Sequence, residues 1–598
     1  MKIITVIPIA RGILKDELFY FSKETAPAGA LIEVPLRGRN IPALVIACQD
    51  AADAKADLKR SSFTLKKIVR FQAKEFFSTA FIKAAKETAD YFAATTGAAL
   101  YALTTKKILE KAGEFRNPTG APKQSGTFER LIIQDESENR FTFYKNLIRE
   151  SFAKKQSALI IVPTVRAAEK LSDKLKIGIE QYTFVCHSDL TPKNLLAAWK
   201  NILAENHPVA VIGTSFALSI PRLDFDKIIV EKENSPAYKT IARPFIDFRI
   251  AAELLAKNLG TRFFAGDSKL RTETLYRLEQ GEFFETLPLK WHWPKNLEQK
   301  IIDMKKKPVL SDELIQLIKN NLEKNERLFI FAARRGLATS TVCSDCGATL
   351  TCQKCGLPLV LHRGKENYFL CHHCGQKKTA EIRCYICNSW KLKPLGVGTG
   401  KVAEEIAKRF PEIKIIRLDS DTSKTAREVM RRVADFEKNP GSILVGTELA
   451  LQNINLPFDS AAVASLDSLM AMPNFRINEK IFSILLRLRF LARKNFLIQT
   501  RNPSWGALNQ ALAGDLAGFY QEELAERKKF SYPPFSIAIK ITFPKNPPEI
   551  FSKWRPQIFG KNILLKLPPE NWPNDELLAT LRALPPDYTI NIDPESFI

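Results

Sequence analysis

Four Cys-x-x-Cys pairs, Cys343/Cys346, Cys352/Cys355, Cys371/Cys374 and Cys384/Cys387, fall within 45 residues of a 598-residue chain. Two cysteines separated by two residues turn their thiolates toward one tetrahedral metal, so four such pairs suffice for two four-thiolate sites. Eight of the ten cysteines lie in this cluster, a density that packing does not explain and that reads as metal binding in a reducing compartment rather than as disulfides. Two Zn2+ ions are expected, structural in role because four protein ligands leave no open coordination position. Gly347, Gly356 and Gly375 each follow the second cysteine of a pair, where the chain must turn tightly. Spacing alone leaves nested and sequential pairings equally open.

A 45-residue module leaves most of the chain to other domains, and the length predicts about three to five in all. Residues 1–106 open with β-rich segments, Ile3 to Ile9, Ala30 to Val34 and Ala43 to Ala47, followed by a helical stretch from Phe76 to about Ala94. This predicts a small α+β domain. Residues 107–127 are rich in turn formers and read as a linker. Over 128–290, apolar runs at Arg130–Ile133, Ala158–Pro163, Val209–Gly213, Lys227–Val230 and Arg262–Ala265 alternate with helical patterns, the pattern of a parallel sheet with crossover helices. A second unit of this kind, 291–342 and 388–505, starts at Leu328–Phe331, is interrupted by the module at 343–387, and resumes with Ile413–Leu418, Ser442–Val445 and Phe496–Gln499. Residues 506–598, with a strand at Ile563–Lys566 and a helix at Asp575–Leu584, predict a further small α+β domain. The expected fold class is therefore α/β and multidomain.

The chain carries 89 Lys and Arg against 65 Asp and Glu, a formal charge of +24. Such a surplus repels itself unless it serves a polyanion, and nucleic acid is the first candidate. His362, His372 and His373 are surplus to the eight cysteines and are expected at the surface or facing DNA. The apolar stretch Met1–Ile9 is short and no run of about 18 apolar residues occurs, so neither a signal peptide nor a membrane span is expected, and the location read from this is cytoplasmic, with the nucleoid.

A series of motifs in order carries a resemblance: Ala333-Arg334-Arg335-Gly336, Cys371-His372-His373-Cys374-Gly375, Pro394-Leu395-Gly396-Val397-Gly398-Thr399, Arg417-Leu418-Asp419-Ser420-Asp421-Thr422, Pro473-Asn474-Phe475-Arg476 and Tyr532-Pro533-Pro534-Phe535. Together these resemble the bacterial primosomal protein N-prime (PriA) family of superfamily 2 replication-restart helicases. The resemblance implies two RecA-like lobes with the zinc module inserted in the second. It also implies nested metal pairing, Cys343, Cys346, Cys384 and Cys387 on one zinc and Cys352, Cys355, Cys371 and Cys374 on the other. Implied partners are DNA forks and single-strand/duplex junctions, primosome and helicase-loading proteins, and single-strand-binding protein. DNA contacts are expected at Tyr20, Arg37, Arg39 and Lys66 in the first domain, at Tyr238, Lys239 and Arg243 in an aromatic-rich loop, and at Arg334 and Arg335. The linker is too short for the winged-helix domain that the family inserts there.

The ATP-cleaving elements of that family are absent. In place of a Gly-rich phosphate loop the chain reads Leu131-Ile-Ile-Gln-Asp-Glu-Ser-Glu-Asn-Arg140, whose carboxylates would repel a triphosphate. In place of Asp-Glu-Glu-His it has Glu231-Lys232-Glu233-Asn234, leaving Glu231 as the vestigial candidate for magnesium and catalysis. The arginine-finger element has become Arg487-Leu-Arg-Phe-Leu-Ala-Arg493-Lys494. The sequence thus predicts a fork-binding restart protein that promotes primosome assembly and helicase loading, with no catalytic residues and no functional ATP/Mg2+ site. The alternative is an ATP-dependent 3′-to-5′ helicase with divergent motifs that uses Glu231.

Overall fold

The computed structural model describes all residues but 14, 51–64, 116–125, 287–296, 334–339, 363–367, 380–382, 455, 473, 546–547 and 598. The chain divides into two compact units, Met1–Trp291 with Ser536–Asp593, and His292–Phe535 with Pro594–Ile598. The segment 506–598 is therefore shared between the units. Among the described residues no helix is long and apolar enough to cross a membrane.

The first unit holds three sheets. Its N-terminal sheet has six strands, with Lys2–Pro8 between Leu18–Ser22 and Arg39–Asp50. A seven-stranded sheet, all parallel, runs in the order Phe284–Glu285, Arg130–Gln134, Arg262–Asp267, Phe225–Glu231, Ser157–Ile161, Ala210–Gly213, Thr183–Cys186. Strands covered on both faces can be apolar throughout, and Ser157–Ile161 and Phe225–Glu231 are buried at every position. The helix Ser137–Ala153 begins directly after the strand Arg130–Gln134. A four-stranded antiparallel sheet with Ile537–Thr542 and Asn562–Leu567 at its centre completes the unit.

In the second unit a six-stranded parallel sheet orders Glu298–Asp303, Ala492–Thr500, Phe458–Val463, Leu328–Phe331, Ile443–Gly446 and Ile415–Leu418. Between Leu328–Phe331 and Ile415–Leu418 the chain leaves to build the cysteine module. That module has a two-stranded ladder, Ser340–Cys343 with Leu392–Leu395, and a three-stranded antiparallel sheet of Leu359–His362, Tyr368–Cys371 and Lys377–Thr379. The two parallel sheets answer to the two α/β lobes expected from the sequence.

Candidate functional site

All four cysteine turns close in the same way. The amides of Gly347, Gly356, Gly375 and Asn388 donate to the carbonyls of Cys343, Cys352, Cys371 and Cys384 at 2.8–3.0 Å. Each of the four residues has a positive φ, +77°, +75°, +74° and +55° in turn, a conformation natural for glycine and tolerated by asparagine. The thiols gather in two groups, Cys343, Cys346, Cys384, Cys387 and Cys352, Cys355, Cys371, Cys374, with the sulfurs of each group within 4.8 Å of one another. Sulfur pairs approach to 3.5 Å (Cys343–Cys387), 3.4 Å (Cys346–Cys384), 3.5 Å (Cys352–Cys374) and 3.4 Å (Cys355–Cys371). The pairing is nested. Four thiols at tetrahedral contact distance, with no carboxylate among them, suit a soft divalent metal.

Of the three histidines only His373 departs from the surface placement expected of it; His362 and His372 are half-buried. His373 is buried, and Tyr532 donates its hydroxyl proton to the His373 carbonyl. His372 Nδ1 lies 3.0 Å from the Ala471 carbonyl and its Nε2 lies 2.7 Å from that of His362. The His372 ring and the His373 carbonyl tie the inner metal turn to Ala471 and Tyr532.

At the C-terminal edge of the seven-stranded sheet, where open parallel sheets place their ligands, the chain fills its own site. Glu231 ends the strand Phe225–Glu231 and is 2% exposed, and its partner Arg140, on the helix after the first strand, is 1% exposed. Arg140 Nη2 donates to Glu231 Oε1 at 2.6 Å and Nε to Oε2 at 3.0 Å, while the Tyr144 hydroxyl donates to Oε2 at 2.7 Å. A Cβ on Gly266 would stand 1.9 Å from that hydroxyl, so a glycine is required where Tyr144 reaches across. Burial alone would raise the Glu231 carboxyl, but the Arg140 charge and the two donors hold it below its ordinary value. Burial and the Glu231 charge push the Tyr144 phenol well above its usual range.

The surrounding acids are committed as well. Asp135 Oδ1 accepts the Glu136 amide at 2.6 Å and Asn139 Nδ2 at 2.9 Å, just ahead of the helix. Glu233 accepts the Arg271 amide at 2.9 Å and the Thr274 hydroxyl at 2.7 Å, tying down the helix Thr272–Glu279. Arg140 and Tyr144 were missed in the sequence reading. The signal was present: with Leu147, Ile148 and Ser151 they recur at three- and four-residue spacing on the buried face of one helix.

The expected DNA contacts separate into two groups. Arg37, Arg39, Lys66 and Arg243 are exposed, although Arg243 Nη1 donates to the Pro586 carbonyl at 2.7 Å. Tyr20 and Tyr238 are not available for base stacking, a second correction. Tyr20 is 4% exposed with its hydroxyl 3.2 Å from the Pro35 carbonyl. Tyr238 is 1% exposed, its hydroxyl between the carbonyls of Ile161 and Glu231 at 2.8 and 2.6 Å. Lys239 is half-buried and donates to the carbonyls of Ile592 and Asp593 at 2.6 Å each. Arg334 and Arg335 lie outside the described residues.

No protein-family model matches the chain. It is similar to replication restart proteins PriA: 26% identical to that of Treponema pallidum over 87% of this chain and 82% of that protein, and 25% identical to that of Helicobacter pylori over 88% and 84%. The PriA of Borreliella burgdorferi is 29% identical over 65% of this chain, and the match spans 60% of that protein's length. RecG bound to a three-way DNA junction aligns with 79% of the chain and 48% of its own at 10% identity and a TM-score of 0.37.

Proposed function

From its kinship with the replication restart proteins PriA, we propose that this chain binds stalled or abandoned replication forks and promotes primosome assembly and replicative helicase loading without hydrolysing ATP. The observation that carries the second half is the Arg140–Glu231–Tyr144 cluster. An ATP-driven helicase needs backbone amides and a lysine around the phosphates and a free carboxylate on magnesium. Here the corresponding carboxylate is already neutralised by a buried guanidinium. Just before the corresponding helix stands the Asp135 carboxylate, which accepts the Glu136 amide and would repel a phosphate.

The first half rests on the similarity to PriA, on the +24 charge, and on two thiol groups that we assign to Zn2+. Bound zinc would supply cross-linking of the module rather than chemistry. Arg37, Arg39, Lys66 and Arg243 are exposed cations that can track phosphates. DNA junctions, primosome and helicase-loading proteins and single-strand-binding protein are the partners of this reading.

The test is ATP turnover by the zinc-loaded protein, with and without forked DNA, beside Glu231→Ala. No turnover together with tight fork binding is expected. DNA-stimulated turnover that disappears in Glu231→Ala protein still folded by circular dichroism would instead establish the divergent 3′-to-5′ helicase.

A further inference from the structure

The four metal turns differ in what they hold between their cysteines. Three present Ser344 and Asp345, Gln353 and Lys354, and the braced pair His372 and His373; the fourth presents Tyr385 and Ile386. Tyr385 is 48% exposed and Ile386 72%, and Trp390, three residues past the last ligand, is 73% exposed. It is the one tryptophan among the described residues that is exposed. The turn is closed by its own backbone: Cys384 accepts from Asn388 and donates to the Ser389 carbonyl, both at 2.8 Å.

Lysines accompany these groups. Lys378 Nζ lies 5.5 Å from the Tyr385 ring centre and 3.4 Å from its hydroxyl, and Lys391 and Lys393, next in the chain after Trp390, are exposed. The nearby carboxylate, Asp345, is engaged by Ser389 at 2.7 Å and Lys391 at 3.6 Å.

We propose that the Cys384–Cys387 turn with Trp390 is a stacking platform for single-stranded nucleic acid, an inference that rests on the DNA-binding reading above and adds its strand type and contacts. Aromatic faces held out beside ammonium groups match what unpaired bases and their phosphates offer. Duplex bases are stacked on one another and offer no free face. A protein anchor would call for an apolar or acidic counterpart, whereas the basic rim and the +24 chain favour a polyanion.

Binding of labelled oligothymidylate and of a duplex of equal length to the full zinc-loaded chain tests this, by fluorescence anisotropy at two salt concentrations. Trp390→Ala, alone and with Tyr385→Ala, should weaken single-strand binding roughly ten-fold or more for each ring. Duplex affinity, salt slope and zinc content should stay unchanged. Trp390→Phe should retain most of the affinity, and Lys393→Gln should reduce the salt slope instead. If Trp390→Ala sheds metal, Trp390→Leu, which keeps apolar bulk without an aromatic face, decides the matter. Unchanged single-strand affinity in a metal-replete variant overturns the platform and leaves the loop to a protein partner, with the DNA reading intact. A wild-type chain that binds neither DNA overturns both.

Discussion

Arg140 and Glu231 are paired in a setting where either charge alone would be untenable, being 1% and 2% exposed. Removing one partner of a buried ion pair leaves the other desolvated and uncompensated, at a cost of about 3–5 kcal/mol. Glu231→Ala should therefore lower the unfolding free energy of the first unit by that order, read from urea denaturation. Replacing the cluster together, Arg140→Met, Glu231→Leu and Tyr144→Phe, should recover most of the loss, because apolar groups of similar volume often match a buried ion pair. The pH dependence has a fixed sign. Glu231 is held below its ordinary 4.5, so its contribution is fully present above that pH and is lost as the pH falls through the lower, folded value. Unfolding curves at pH 7 and below about pH 4 should show wild type approaching Glu231→Ala in acid; a constant gap would mean that the pair does not set the difference.

Nested metal turns make the two sites of the module unequal. The outer group joins Cys343 and Cys346 to Cys384 and Cys387, and the inner group lies wholly between them. Cys387 is exposed while Cys371 is buried within the three-stranded sheet, so Cys387→Ser should retain close to one zinc. Cys371→Ser should retain less than one, because losing the inner crosslink lengthens the loop the outer site must close; metal content by mass spectrometry distinguishes the two. In the helix Leu516–Lys529, burial and the Glu523 charge push the Glu526 carboxyl up to about 7 from an ordinary 4.5. A raised folded value means stability is lost as pH rises from 4.5 toward 7. Glu526→Gln, which preserves an acceptor for Asn478 Nδ2 at 2.8 Å, should stabilise the second unit above pH 7 and leave it unchanged near pH 4, read from thermal midpoints. The elements were legible in the sequence where one local pattern decides them: the lobe strands as short apolar runs, the metal turns as spaced cysteines. Nesting was not, because spacing permits two pairings. Tyr238 was misread because a tyrosine beside basic residues looks the same whether it faces DNA or the core. Its hydroxyl partner at the Ile161 carbonyl is 77 residues away.

Across the whole molecule, charge and metal pull in opposite directions, and that opposition separates electrostatic attraction from built recognition. A four-thiolate site loaded with a divalent metal carries about two net negative charges, and none once the metal leaves and the thiols are protonated. Stripping both sites would leave the chain about four charges more basic than the loaded form. If binding were attraction between a +24 chain and phosphates alone, chelation would strengthen it, most visibly at low salt where screening is weak. If the module presents a shaped surface, chelation weakens binding despite the added charge, since the strands Ser340–Cys343 and Leu392–Leu395 form only a two-stranded ladder around the outer turns and so small a ladder is marginal without a crosslink. We expect fork affinity to fall after chelation at every salt concentration and the salt slope to stay as steep, because exposed cations of the first unit such as Arg37, Arg39 and Lys66 are untouched. Affinity that rises on chelation would reduce the module to a structural insert and assign DNA binding to net charge.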